Sequence, residues 1–350
     1  NFIKAYIFLS FFSINMLYAQ DGSLDQSFNP EDAGFGAGNG ANGQIHTVSL
    51  QANGKIVFAG QFDEYNSYDR ERAARAEENG MIDPSFAVGD GFDNVVRTSA
   101  VQSDGKILFG GDFGQFNNQV RNRVLRLNSN GTIDNTFNIG GGADASVFAS
   151  AIQSDGKILI GGAFLSYNTT YINYIVRVNA NGSVDNSFSI GTGPNGLIRD
   201  ILIQPDGKIL IAGAFTSYNG NPANRLARIN SDGSFDNTFN VGAGANNLIS
   251  SIAIQNDNKV IIAGNFTSYN GNAYNRIARI NSDGSFDNSF TNGTGANAFI
   301  TKVLYQPDGK VLAFGDFATF NGYNRNSIVR LNSDGTIDET FLISSGANAS

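Results

Sequence analysis

Six near-copies of one string stand at a fixed spacing along this chain. "QPDGKILIAGAF", Gln204 to Phe215, recurs in variant form from Gln51, Gln102, Gln153, Gln255 and Gln306, always 51 residues on. A period that constant restricts the chain to architectures in which one supersecondary unit is laid against the next.

The unit reads as four short strands. In the copy from Leu197, "LIRDILIQ" (Leu197–Gln204) and "KILIAGAF" (Lys208–Phe215) are apolar, Ile-rich runs separated by the turn "PDG". Glycine there supplies a positive φ. The unbroken apolar run of the second strand predicts burial on both faces. A polar loop, "TSYNGNPAN", leads to a third strand, "RLARIN" (Arg225–Asn230), and a second turn, "SDG". A short fourth strand, "SFDNTF" (Ser234–Phe239), precedes a Gly-rich crossing. A lone sheet of about 50 residues buries too little surface to stand alone, so neighbouring copies must cover each other. Four-stranded units of this length, stacked face to face, predict an all-β chain: a β-propeller of six to seven four-stranded blades. The rival is an elongated β-solenoid, whose repeats are usually shorter and lack paired hairpin turns.

Positions that repeat without change read as scaffold. Gly60, Gly111, Gly162, Gly213, Gly264 and Gly315 each stand two residues before a Phe. Glycine late in a strand allows a bulge or a close backbone approach, and the Phe fills space between sheets. Arg75, Arg126, Arg177, Arg228, Arg279 and Arg330 recur in the third strand, with Asp83, Asp134, Asp185, Asp236, Asp287 and Asp338 eight residues later. An Arg–Asp pair in each blade is expected to hold the outer hairpin in register.

The organisation predicted is a signal segment over 1–20 and a propeller domain over 21–350. An isolated outer strand spans 21–28, and the repeats run over about 45–86, 96–137, 147–188, 198–239, 249–290 and 300–341. "NFIKAYIFLSFFSINMLYAQ" has a basic Lys4, an apolar core and a small residue before Gln20, the pattern of a secretory signal. A membrane anchor is the alternative, but the apolar run is short and interrupted. "DGSLDQSF" (Asp21–Phe28) copies only the last turn and strand of a repeat. It would complete a final blade begun by the C-terminus, and a continuation past residue 350 would supply a seventh.

Taken together, Q-x-D-G-K-I-L-I-x-G-x-F, Y-N-G and N-R-x-x-R-x-N-x-D-G-S-x-D-x-x-F resemble the delta-60 repeat family over roughly residues 21–343. The resemblance implies a β-propeller-like fold and an exported or surface protein, often of Gram-negative bacteria with a dedicated outer-membrane secretion route. No catalytic residues come with the repeat. The first copy departs at "DRERAARAEENGMIDPSF" (Asp69–Phe86), which predicts an altered outer edge.

Composition narrows the function classes. The net charge is −8, and no basic face concentrates Lys and Arg, so nucleic acid is not an expected partner. There is no Cys and a single His, His46, which removes thiolate and His-rich metal chemistry. Calcium is one reading of "NSDGSFD" (Asn281–Asp287). Its Gly falls fourth rather than sixth, so a tight turn is the simpler reading. The glycines at Gly191 and Gly242 precede strands rather than the helix a nucleotide loop needs. No cofactor, metal or catalytic residue is therefore assigned.

Function is sought where copies differ. The second residue of each first strand is His46, Arg97, Phe148, Arg199, Ser250 or Thr301, and its neighbours include Asp200 and Lys302. If the first strand is innermost, His46, Arg97, Phe148, Arg199, Asp200 and Lys302 line an axial channel as binding candidates, or are simply its solvated wall. Tyr218-Asn219-Gly220 and Tyr269-Asn270-Gly271 offer aromatic and amide groups to sugars, or else form structural turns. The expectation is an exported, non-enzymatic module binding a protein or glycan at the cell envelope, with no membrane insertion after signal cleavage. A hydrolase or lyase acting in the channel is the alternative.

Overall fold

A computed structural model of the chain describes residues 40–342, together with 25 and 27–29. The expected signal segment 1–20 lies outside the described residues, as do most of the expected outer strand 21–28 and residues 343–350. All regular structure among the described residues is β.

Each repeat folds as the apolar pattern dictates. In the fourth, the first strand Ile198–Ile203 pairs antiparallel with the second, Ile209–Gly213, which pairs with the third, Leu226–Ile229. The second strand is central in the sheet and buried throughout, which is why its sequence does not alternate. Gly207 turns the first hairpin at φ 82°. In the fifth repeat Asn258 stands where the others have glycine and takes φ 64°. Asn is among the few residues that tolerate this region.

The outermost strand narrows to a single bridging residue, Phe235 opposite Ile229, and the same bridge recurs in all six repeats. Its cause lies in the residues that follow. The Asp236 carboxylate accepts the Thr238 backbone N–H at 3.0 Å and the Thr238 hydroxyl at 2.6 Å, a local side-chain turn that bends the chain out of the ladder. The loop "TSYNGNPAN" is more ordered than its polarity suggests. Ser217–Tyr218 pairs with Asn221–Pro222 across Asn219 and Gly220, both at positive φ, the conformation that matches hairpin twist.

The apolar core lies between consecutive sheets. One cluster joins Ala149, Leu159 and Ile175 of the third repeat to Ile198, Ile209, Ile211 and Phe215 of the fourth. Equivalent clusters join the first repeat to the second, the second to the third and the fifth to the sixth. Each fully buried Ile or Phe contributes about 1.5–3 kcal/mol. Phe113, Phe164, Phe215 and Phe317 sit in these layers, as the recurring Gly-x-Phe suggested.

The expected Arg–Asp pair forms in every repeat, with Nε to Oδ2 distances of 2.6–2.7 Å. A Lys 28 residues before each Asp joins it, from Lys55–Asp83 to Lys310–Asp338. Each guanidinium also lies over the Phe that ends its own repeat, 4.4 to 5.0 Å from the ring centre. Beyond register, the Arg reaches the next repeat. Arg126 Nη1 donates to the Ala180 carbonyl at 2.7 Å, and Arg75, Arg177 and Arg279 donate to the Ser129, Ser231 and Ser333 carbonyls. The first repeat keeps this arrangement despite its divergent sequence. Its outer edge differs in side chains alone: Glu77 adds a second partner to Lys55 at 2.8 Å.

The segment before the first repeat docks as a linker does. Asn29 N–H donates to the Asn79 carbonyl at 2.6 Å, as Ala87 does to Asn130 and Asn138 to Asn181. The chain divides into two compact units, one spanning Ser27–Ile249 with the first four repeats and one from Ser250 with the last two.

Three outcomes follow from this packing. Asp185→Ala leaves the Arg177 guanidinium buried without its carboxylate and is expected to lower stability by about 3–5 kcal/mol, read by denaturant unfolding. Burial alone would raise the Asp carboxyls. Hydrogen bonds from Lys55, Ser85 and Arg75 overcome it and hold Asp83 well below the usual carboxylate range, and matching donors do the same for Asp134, Asp185, Asp236, Asp287 and Asp338. Carboxyls depressed in the folded state stabilise above their unfolded pKa of about 4 and lose that contribution below it. The thermal midpoint should therefore be flat above about pH 5 and fall steadily on acidification below about pH 4. In Gly213→Ala, the new methyl would stand 2.1 Å from the Leu197 carbonyl oxygen, a backbone atom with nowhere to move. A loss of roughly 1–3 kcal/mol is expected in the same unfolding measurement.

Candidate functional site

The repeated glycine creates the site by what it allows opposite. Ile198 pairs with Gly213, the next pair is Asp200 with Ala212, and Arg199 is skipped. The same one-residue bulge passes over His46, Arg97, Phe148 and Thr301. Without a Cβ, Gly111, Gly162 and Gly213 let the bulged strand approach. A bulge leaves one residue out of the ladder and re-aims its side chain. The position that varies between copies is thus the one the backbone frees from pairing.

Within the first four repeats, the first strands Gln44–Leu50, Val96–Val101, Val147–Ile152 and Ile198–Ile203 pack side by side in that order. Hydroxyls join them: Thr47 to Ser99 at 2.9 Å, Ser49 to Ser99 at 2.8 Å and Thr98 to Ser150 at 3.0 Å. This brings the bulged side chains together. The Arg97 guanidinium lies 5.5 Å from the Phe148 ring centre and that of Arg199 4.5 Å from it. Arg97, Phe148 and Arg199 are half-buried, and His46 is exposed.

Arg97 is held by a carboxylate. Its Nε lies 2.9 Å from both Asp112 oxygens, and Nη2 is 2.5 Å from Oδ2. Burial would raise the Asp112 carboxyl, but Arg97 and Ser146 bond to it and keep it low. Asp112 was not among the residues expected from sequence. Its position, between the repeated Gly and Phe, reads Gln61, Asp112, Ala163, Ala214, Asn265 and Asp316 across the copies. That variation was the available signal.

Arg199 differs from Arg97. Among the described residues no carboxylate and no hydrogen-bond acceptor pairs with it; Phe148 is its contact. Burial and the Arg97 charge both disfavour its protonated form, and Asp112 opposes them. A guanidinium nevertheless stays charged in proteins. His46 keeps its solvent contact, yet partial enclosure of the ring, ahead of the Arg97 charge, lowers its pKa below the ordinary value, against the pull of Asp112.

The other candidates are placed as follows. Asp200 returns to the ladder opposite Ala212, and its carboxylate accepts the Ile201 backbone N–H at 3.1 Å. Lys302 is exposed, pairs opposite Phe314 in the sixth repeat, and belongs to the second compact unit. Ser250 and Thr301 donate their hydroxyls to backbone carbonyls. Tyr218 and Tyr269 are fully buried, so they offer no face for a sugar; the turn reading of these segments holds. In "NSDGSFD", the Asp283 carboxylate accepts the Ser285 N–H and hydroxyl, while Asp287 is taken by Arg279, Lys259 and Ser289. These oxygens serve the turn and the interblade network.

Several solved structures share the fold. U3-55K aligns with a TM-score of 0.55 at 11% identity, covering 86% of this chain and 81% of that one. Virginiamycin B lyase from Staphylococcus aureus aligns at 0.53 and 16%, covering 85% of each. A streptogramin B lyase aligns at 0.51 and 16%, covering 85% and 83%. At such identities the likeness bears on fold alone. A search among curated proteins returns no match. A family model described as domain of unknown function (DUF5122) beta-propeller matches residues 51–86, 102–137, 153–188, 204–239, 255–290 and 306–341. With six repeats matched in register and most of the repeat region covered, this chain belongs to that β-propeller family.

Proposed function

We propose that the chain is an exported, non-enzymatic binding module, and that its partner is a protein or glycan of the cell envelope. One observation carries the reading. The residues that change from copy to copy are the ones released from the ladder by the bulges, and in the first four repeats they form one surface of His46, Arg97, Phe148 and Arg199. Constant positions are used up in holding sheets together; varied ones are left to meet a partner. Export rests on the N-terminal pattern of Lys4, an apolar core and Ala19. Among the described residues no helix is long and apolar enough to cross a membrane.

The rival reading is a hydrolase or lyase centred on His46. A general base gains its tautomer and orientation from a hydrogen-bonded partner. His46 has none among the described residues, and the nearby Asp112 is committed to Arg97 and Ser146. The likeness to lyases is one of fold.

The purified chain should bind a member of a glycan array, or a fractionated envelope protein, saturably and without turnover. Phe148→Ala should weaken that binding roughly tenfold or more, whereas Tyr171→Ala, 74% exposed on an outer hairpin, should not. Equal loss in both variants, or turnover abolished by His46→Ala, would overturn the reading.

A further inference from the structure

Arg199 is a cation in want of an anion. Its guanidinium is half-buried against Phe148, beside a second guanidinium, with no acceptor among the described residues. Every other cation that this fold buries to a similar or greater depth in the third strands is met by a carboxylate, a carbonyl or both. Arg97, on the adjacent side of Phe148, is matched by the two oxygens of Asp112. Burial of a charge without a partner opposes folding unless a ligand supplies the counter-charge. The two guanidiniums against Phe148 outnumber the one Asp112 carboxylate, which leaves the cluster locally positive within a chain of net charge −8.

We propose that the cluster is a carboxylate-binding site, with Arg199 as its anchoring cation and a sugar acid as its ligand. A guanidinium presents a planar fork that fits the two oxygens of a carboxylate. Phe148, with its ring centre 4.5 Å from the Arg199 guanidinium, restrains that fork and lowers the entropy lost on binding. Polar groups border the pair of guanidiniums: the Asp112 carboxylate lies within electrostatic reach of Arg199, and the His46 imidazole within reach of Arg97 and Asp112. A ligand with hydroxyls around one carboxylate satisfies these groups. A hydrophobic acid would leave them unpaired. The inference rests on the binding-module reading and names the ligand class of the same surface.

Calorimetric titration of the full chain with trigalacturonate, a neutral oligosaccharide of equal length and an Asp/Glu-rich peptide tests it. Trigalacturonate alone should bind, and the affinity should fall as salt is added. Arg199→Gln, which removes the charge but no hydrogen bond within the protein, should keep or raise the wild-type thermal midpoint and weaken binding roughly tenfold or more. Arg199→Lys should recover part of the loss. Trigalacturonate binding that Arg199→Gln leaves unchanged would overturn this inference while leaving the module reading standing, as would a preference for the neutral sugar or the peptide. A chain that binds nothing on the glycan array or among envelope proteins would remove both.

Discussion

A buried guanidinium, placed once in each repeat, is the interaction on which the arrangement turns. From the third strand it bonds an Asp across the outer turn and lies on the Phe that closes the repeat. In the repeats where its Nη1 contact is described, it also donates to a backbone carbonyl of the next repeat. One side chain thus joins the end of its own repeat to the outer turn of its neighbour. Such a charge is tolerated in the interior because it is fully met by oxygen, and removing one partner is far more costly than the pair is stabilising. The apolar layers supply most of the burial energy between sheets. The Arg network fixes how those layers are aligned.

That division of labour leaves the first strand free for another purpose. Its outer neighbours are tied by hydrogen bonds that every copy repeats, whereas its own contacts to the next first strand run through hydroxyls such as Thr47, Ser99 and Ser150. The bulge opposite glycine then lifts one residue per repeat out of the ladder. Since that residue has no packing duty in common, its identity drifts from His to Arg to Phe. The cluster of Arg97, Asp112, Phe148 and Arg199 is the outcome in the first four repeats.

Much of this was legible in the sequence. The period, the hairpin turns, the Arg–Asp pairs and the role of Gly-x-Phe could all be read because local chemistry imposes them on every copy, and six copies give six readings of one unit. Two features were less legible. The fourth strand shrinks to a bridge because Asp236 and Thr238 form a side-chain turn, and a strand-like string such as "SFDNTF" does not display that competition. The Tyr of "SYNG" looks available as an aromatic platform, yet Tyr218 gives its hydroxyl to the Gly233 carbonyl and is fully buried.

By itself, the sequence determined the unit and its dependence on neighbours: a 51-residue sheet with apolar faces on both sides has to be covered. It also marked His46, Arg97, Phe148 and Arg199 as positions released from the common pattern. Only the tertiary structure decided which of them meet. Residues 51 apart along the chain become adjacent when first strands lie side by side, and Asp112 enters their company from just past the end of the second strand, Ile107–Gly111. Contact across such separations depends on strand order, bulge geometry and packing together, so no local stretch encodes that Arg97 has a counter-ion and that Arg199 has none among the described residues.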